Sequence, residues 1–151
     1  MKRLGKPIFT AREVYDACVN NVSEQNLNDR FATAKTDVMA KANEYEVKAS
    51  THDLYLLPAS ERGKGWQIAV ADLTKAEFIS LYEDHLLGKK TLGRHYYDKL
   101  MMLAPLGKCP YCGFGHASTL DHFLSKSRYP TFSVLPLNLV PSCKDCNTDS
   151  N

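Results

Sequence analysis

The sequence lacks any apolar run of the length that crosses a bilayer, which argues against a membrane-spanning helix. The basic start Met1-Lys2-Arg3-Leu4-Gly5-Lys6 is not followed by the apolar core of a secretory signal, so the expected compartment is the cytoplasm. There is no low-complexity tract, and no repeat beyond two Cys-x-x-Cys pairs. Nothing before residue 105 shows a catalytic spacing. His52, His85 and His95 each stand alone, and a lone histidine is usually a surface or capped residue. Cysteine is scarce, with five in 151 residues. In a reducing compartment paired cysteines favour a metal over disulfides, and the odd one, Cys18, reads as core.

What is present is ordinary in bulk. At 44% hydrophobic and 24% charged the chain is neither disordered nor membranous. Its length fits one domain, or a helical region over residues 1–104 followed by a small metal module over 105–151. Charge is uneven. Residues 1–88 hold eleven Lys/Arg against thirteen Asp/Glu, and residues 89–151 hold eight against four. A positive C-terminal part suits a polyanion, and it equally suits a solvated surface.

The N-terminal part reads as helices. Thr10 and Glu13 form a capping box, and Val14, Cys18 and Val22 follow as an apolar stripe. A second helix is expected from about Asn26 to Lys48, with Leu27, Phe31, Val38, Ala42 and Tyr45 near one face. The apolar segment Leu54 to Leu57 ends at Pro58, and residues 60–65 form a loop. Trp66 to Val70 fits a strand or an apolar tether. A second capping box, Thr74 with Glu77, opens a helix carrying Phe78, Leu81, Tyr82 and His85 and closed by Gly88. One more helix runs from Arg94 to Leu103, ended by Pro105 and Gly107. This region carries no readable chemistry and is expected to hold a partner or substrate beside the C-terminal module.

The chemistry lies in Cys109 to Asn147. The order is Cys109-Pro110-Tyr111-Cys112-Gly113, Leu120-Asp121-His122, Asn138, then Cys143-Lys144-Asp145-Cys146-Asn147. Cys109, Cys112, Cys143 and Cys146 fit tetrahedral Zn(II), and four thiolates leave no open position, so the zinc is expected to be structural. His116 is a less favoured substitute ligand. The 30 residues between the pairs exceed a zinc-ribbon gap of about 15–20, so the insert must be structured. Residues 118–124 and 137–141 read as strands around a loop over 125–136. Ser142 reads as the N-cap of a helix that puts Cys143, Cys146 and Asn147 on one face. Asp121 and Asn147 offer hard oxygens suited to Mg(II). Lys126, Arg128 and Lys144 are candidates for phosphate contacts.

This combination resembles the HNH endonucleases of the zinc-containing ββα-metal type, over Cys109 to Asn151. The resemblance implies an α+β, mostly helical chain: an N-terminal α-helical region, then a zinc-stapled ββα-metal module that hydrolyses DNA phosphodiesters; the sequence itself leaves DNA versus RNA open. It implies that Asp121 and Asn147 bind one Mg(II) or Mn(II), that His122 is the general base, and that Asn138 pins the loop orienting His122. The segments Tyr96 to Leu100 and Ala104 to Pro110 more loosely resemble the small HNH subunit of Septu-type and some retron anti-phage systems (PtuB-like). That likeness implies an SMC- or ABC-like ATPase partner (PtuA-like). The family continues its helix past Asn147, whereas here Thr148 to Asn151 remain, so the module is expected to be truncated or to lean on a partner.

Two further expectations follow. Adjacent strand residues face opposite sides, so Asp121 and His122 can serve one phosphate only where the strand ends or bends. The competing reading is a zinc-stabilised nucleic-acid or protein binding module without catalysis, since a fold does not imply an activity.

Overall fold

In the computed structural model, which describes residues 2–147, both capping boxes form as expected. Helix α1 spans Ala11–Asn20, with the Thr10 hydroxyl accepting from the Glu13 amide at 3.1 Å while Glu13 accepts from the Thr10 amide at 2.7 Å. Helix α2 spans Gln25–Ser50, and its first amides are capped by the Glu24 carboxylate, which accepts from Asn26 and Leu27. A short hairpin follows, β1 (Ile68–Val70) and β2 (Leu73–Thr74), so the segment at Trp66 to Val70 ends in a strand. Helix α3 (Lys75–His85) starts from the Thr74 box, and α4 covers Arg94–Met101.

Glu77 serves two purposes. It closes the α3 box, and it also receives both terminal nitrogens of Arg30 from α2, at 2.6 and 2.8 Å. The Arg30 hydrogen bonds, followed by burial acting the other way, leave the Glu77 carboxyl below its usual range. The pair fixes α3 against α2.

The C-terminal part is a second antiparallel ribbon, β3 (Thr119–His122) with β4 (Leu139–Ser142), paired in unbroken register from Thr119–Ser142 to His122–Leu139. The chain is therefore α+β, with four α-helices and two small sheets among the described residues. None of these helices is long and apolar enough to cross a membrane. A two-stranded ribbon is marginal alone, and this one packs on α4. The main core joins Val14, Cys18, Phe31, Phe78, Leu81 and Leu100 from the helices to Leu120, Val134 and Leu139 from the C-terminal part. Tyr15, Phe31 and Phe78 run through it edge to face. Cys18 is completely buried there, which pushes its thiol up to about 12.

Three local expectations are corrected. The first strand is shorter than 118–124 because the Asn138 carboxamide takes both backbone groups of Leu124, accepting from its amide at 2.8 Å and donating to its carbonyl at 3.0 Å. The second strand begins at Leu139, since Pro136–Asn138 is a 3₁₀ turn. The helix expected from Ser142 is only a turn within the described residues, with the Asn147 amide reaching the Cys143 carbonyl at 3.1 Å. Ser142 ends β4 instead of capping a helix: its carbonyl accepts from the Ser118 amide and the Thr119 hydroxyl. The tail at Thr148 to Asn151 lies outside the described residues.

Gly93, just before α4, lies close against the end of α3 and Cys18 of α1. A Cβ there would lie 2.2 Å from the His85 carbonyl oxygen and 3.1 Å from Cys18 Sγ. We expect Gly93→Ala to cost near the upper end of the about 1–3 kcal/mol typical of overpacking. A thermal melt should fall by several degrees, and an unchanged melt would contradict this packing.

Candidate metal centre and the residues around it

The knuckle Cys109–Cys112 is built by backbone hydrogen bonds. The Gly113 amide donates to the Cys109 carbonyl at 2.8 Å, and the Cys109 amide to the Gly115 carbonyl at 2.7 Å. Gly113 sits at φ +76°, a conformation that favours glycine. The Lys108–His116 bridge extends this small hairpin. At the far end of β4, the turn after Ser142 brings Cys143 and Cys146 across.

The result is a cluster of four sulfurs, Cys109, Cys112, Cys143 and Cys146, all within 4.8 Å of one another. The Cys112 and Cys143 sulfurs are 3.9 Å apart. Tetrahedral Zn(II) with Zn–S of about 2.3 Å requires sulfurs about 3.8 Å apart, so the cage fits the ion. His116 is not among the clustered ligands. The Gly115 and Phe114 amides point at Cys112 and hold its thiol down to about 6. Its neighbour Cys146 is pushed up to about 12, first by its hydrogen bond to Cys143 and then by burial. At Cys109 burial raises the thiol, and amides from Cys143, Cys112 and Tyr111 outweigh it. Such amide donors suit sulfurs that bind as thiolates.

Gly115 was not singled out in the sequence, yet the cage depends on it. A Cβ at Gly115 would lie 2.7 Å from Cys143 Cβ and 2.8 Å from its sulfur. We expect Gly115→Ala to lower metal affinity by about 10–100-fold, the effect typical of disturbing a site's outer shell. Competition with a chromophoric chelator measures it, and wild-type affinity would refute the fit.

The other candidate residues surround the ribbon. His122 is the last residue of β3 and is completely buried. Its Nε2 lies 2.8 Å from the Ser133 carbonyl oxygen, and its ring meets Tyr82 of α3 edge to face at 4.5 Å. A carbonyl can only accept, so Nε2 carries the proton and Nδ1 is the basic nitrogen of the neutral ring. Asn138 is completely buried too. Besides holding Leu124, its Oδ1 accepts from the Tyr45 hydroxyl at 3.0 Å, and its Nδ2 donates to the Phe132 carbonyl at 3.3 Å.

Asp121 is also buried, and its Oδ2 accepts from the Tyr111 hydroxyl at 3.0 Å. Burial, then the Asp121 charge, raise the Tyr111 phenol well above its usual range. Asn147 Nδ2 donates to Thr119 Oγ1 at 2.8 Å and to the Leu120 carbonyl at 3.2 Å. Alternation along β3 therefore groups Asp121 with Thr119 and Asn147 on one face, and turns His122 with Leu120 toward the core. Asp121 and His122 thus stand on opposite faces of β3, with His122 its last residue.

The three cationic candidates differ. Lys126 Nζ stands 5.6 Å from the centroid of Tyr82, the ring that also meets His122. Arg128 Nε is spent on the Ser60 carbonyl at 2.6 Å, while Lys144 is exposed on the turn between the last two cysteines. Sequence reasoning missed Tyr45, Tyr82, Tyr111, Thr119 and Ser133. Only Tyr111 had a local signal, its place inside the first cysteine pair.

No family model matches the chain, and no solved structure matches it. Among curated proteins it is similar to protein ea31 of Escherichia phage lambda, 36% identical over 148 residues. The match covers 97% of this chain and 50% of that protein, so the chain spans about half the length of the relative.

Proposed function

We propose that the chain carries a zinc-stapled nuclease module of the HNH type, which hydrolyses DNA phosphodiesters. The observation that carries this reading is the setting of His122. A carbonyl oxygen at Nε2 fixes the tautomer, and the basic Nδ1 belongs to a ring at the end of a strand. In this role Nδ1 takes a proton from water. The oxygen attacks phosphorus, and the P–O bond to the 3′-oxygen breaks.

Asp121 and Asn147, on one face of β3, would hold Mg(II) or Mn(II), whose charge would offset that developing on the leaving oxygen. The donor set suits a hard cation: one carboxylate and one carboxamide. Asn138 pins the loop from Leu124 to Phe132, and Ser133, next along, carries the carbonyl that holds His122. Lys126 is the first candidate for a phosphate contact, with Lys144 second. The four-cysteine zinc has no place in the chemistry; it holds the knuckle and the Asn147 turn together.

The narrower reading makes the protein the effector of an anti-phage defence complex with an SMC- or ABC-like ATPase. It rests on the segments Tyr96 to Leu100 and Ala104 to Pro110, and co-purification of such an ATPase is its test. A second reading, a zinc-stabilised binding module without catalysis, is favoured by one observation: Asp121, His122, Asn138 and Asn147 are each at most 4% exposed. Incubating the full chain with plasmid DNA and Mg(II) or Mn(II) separates the two. Metal-dependent products that His122→Ala abolishes support the nuclease; affinity for nucleic acid without products supports the binding module.

A further inference from the structure

Tyr111 lies between Cys109 and Cys112, so its backbone belongs to the zinc knuckle. Its side chain leaves the knuckle and crosses to β3, where the hydroxyl donates to Asp121 Oδ2 at 3.0 Å. Asp121 itself is 2% exposed, so water contributes little to orienting it. One residue thus links the sulfur cage to a carboxylate offered as a cation ligand.

We propose that Tyr111 is a positioning residue for Asp121, and that through it the zinc knuckle sets the affinity of the Asp121 face for a divalent cation. This rests on the reading that Asp121 and Asn147 hold such a cation. The phenol engages Oδ2 and so restrains the rotation of the carboxylate about its last bond, which bears on where Oδ1 points. Partners of this kind, one bond removed from the ion, are worth about 10–100-fold in affinity. A residue that served only to satisfy a buried carboxylate would instead show its effect in stability.

Tyr111→Phe removes the hydroxyl and keeps the ring. The full chain, zinc-loaded, is titrated with Mn(II) and free Mn(II) is followed by electron paramagnetic resonance; zinc content and melting temperature are measured on the same samples. Asp121→Ala is the reference. The expected result is that Asp121→Ala abolishes Mn(II) binding and that Tyr111→Phe weakens it by about tenfold, within the range for such partners. Zinc should stay at wild-type stoichiometry in Tyr111→Phe. If Asp121→Ala abolishes binding while Tyr111→Phe binds as wild type, the positioning role is wrong and the cation assignment stands. If Tyr111→Phe loses zinc, the residue serves the cage and not the carboxylate, which also overturns the proposal. If Asp121→Ala binds Mn(II) as wild type does, the cation assignment itself falls and takes the proposal with it.

Discussion

Removing zinc from the full chain is expected to unfold the C-terminal part and to destabilise the helices with it. Regular structure over residues 105–147 is slight: β3 and β4 are four residues each, and the remaining elements there are 3₁₀ turns of three. Structural zinc in small domains contributes about 10–16 kcal/mol of apparent binding energy near neutral pH. A whole domain of ordinary size is stable by only about 5–15 kcal/mol. Even part of the zinc contribution is therefore comparable to the total. The loss cannot stay local, because Leu120, Val134 and Leu139 are in one core with Phe31, Phe78 and Leu100. The measurement is zinc by elemental analysis, expected at one per chain, with circular dichroism melts before and after a strong chelator. Cys143→Ser is the genetic counterpart, chosen because Cys143 is buried and its sulfur lies 3.9 Å from Cys112. A metal-free protein that melts like the native one would show that the cage carries no structural load.

How much of this was legible in the sequence depends on the range of each interaction. Thr10 with Glu13 and Thr74 with Glu77 are contacts over three residues, and both form. The stripe Val14, Cys18 and Val22 is a matter of helical period, and all three are buried. The cysteine pairs were legible because zinc chemistry allows few spacings. The strand ends were not. Leu124 sits in a bend just past β3, where the Asn138 side chain, fourteen residues away, takes its hydrogen bonds. A carboxamide that stands in for a backbone strand leaves no local mark. Lys75 is a similar case: a lysine at a helix start looks solvent-facing, yet it is 2% exposed and donates to the Glu61 and Gly63 carbonyls.

The helical region also proved closer to the candidate site than its lack of motifs implied. Tyr45 of α2 donates to Asn138, and Tyr82 of α3 lies against His122. Each contact joins residues 40 or more positions apart, where neither periodicity nor spacing carries information. The tyrosines themselves looked like apolar-face residues, and their burial is indeed what raises the Tyr45 phenol above its usual range. Their hydroxyls, not their rings, are what reach the site at Tyr45 and Tyr111.

For His122 the expected effect on cleavage is the largest of any single side chain. A positioned general base is worth about 10²–10⁴-fold, or roughly 3–5 kcal/mol of barrier. His122→Ala alone would be ambiguous, because the ring is completely buried against Tyr82. Truncation opens a cavity there and strips the Ser133 carbonyl of its donor, and a buried unpaired polar group costs about 1–3 kcal/mol of stability. His122→Gln resolves the ambiguity. Glutamine is of similar volume, and its amide can donate to Ser133 as Nε2 does, but it has no basic nitrogen. We therefore expect His122→Gln to melt close to wild type, retain its zinc and lose cleavage by the full factor, while His122→Ala loses both cleavage and stability. The assay is plasmid cleavage by the full chain with Mg(II) or Mn(II), run with and without any co-purifying ATPase. A His122→Gln protein that cuts at the wild-type rate would remove His122 as the base. Wild-type protein that binds nucleic acid but yields no product with either ion would leave the zinc-stabilised binding module as the function.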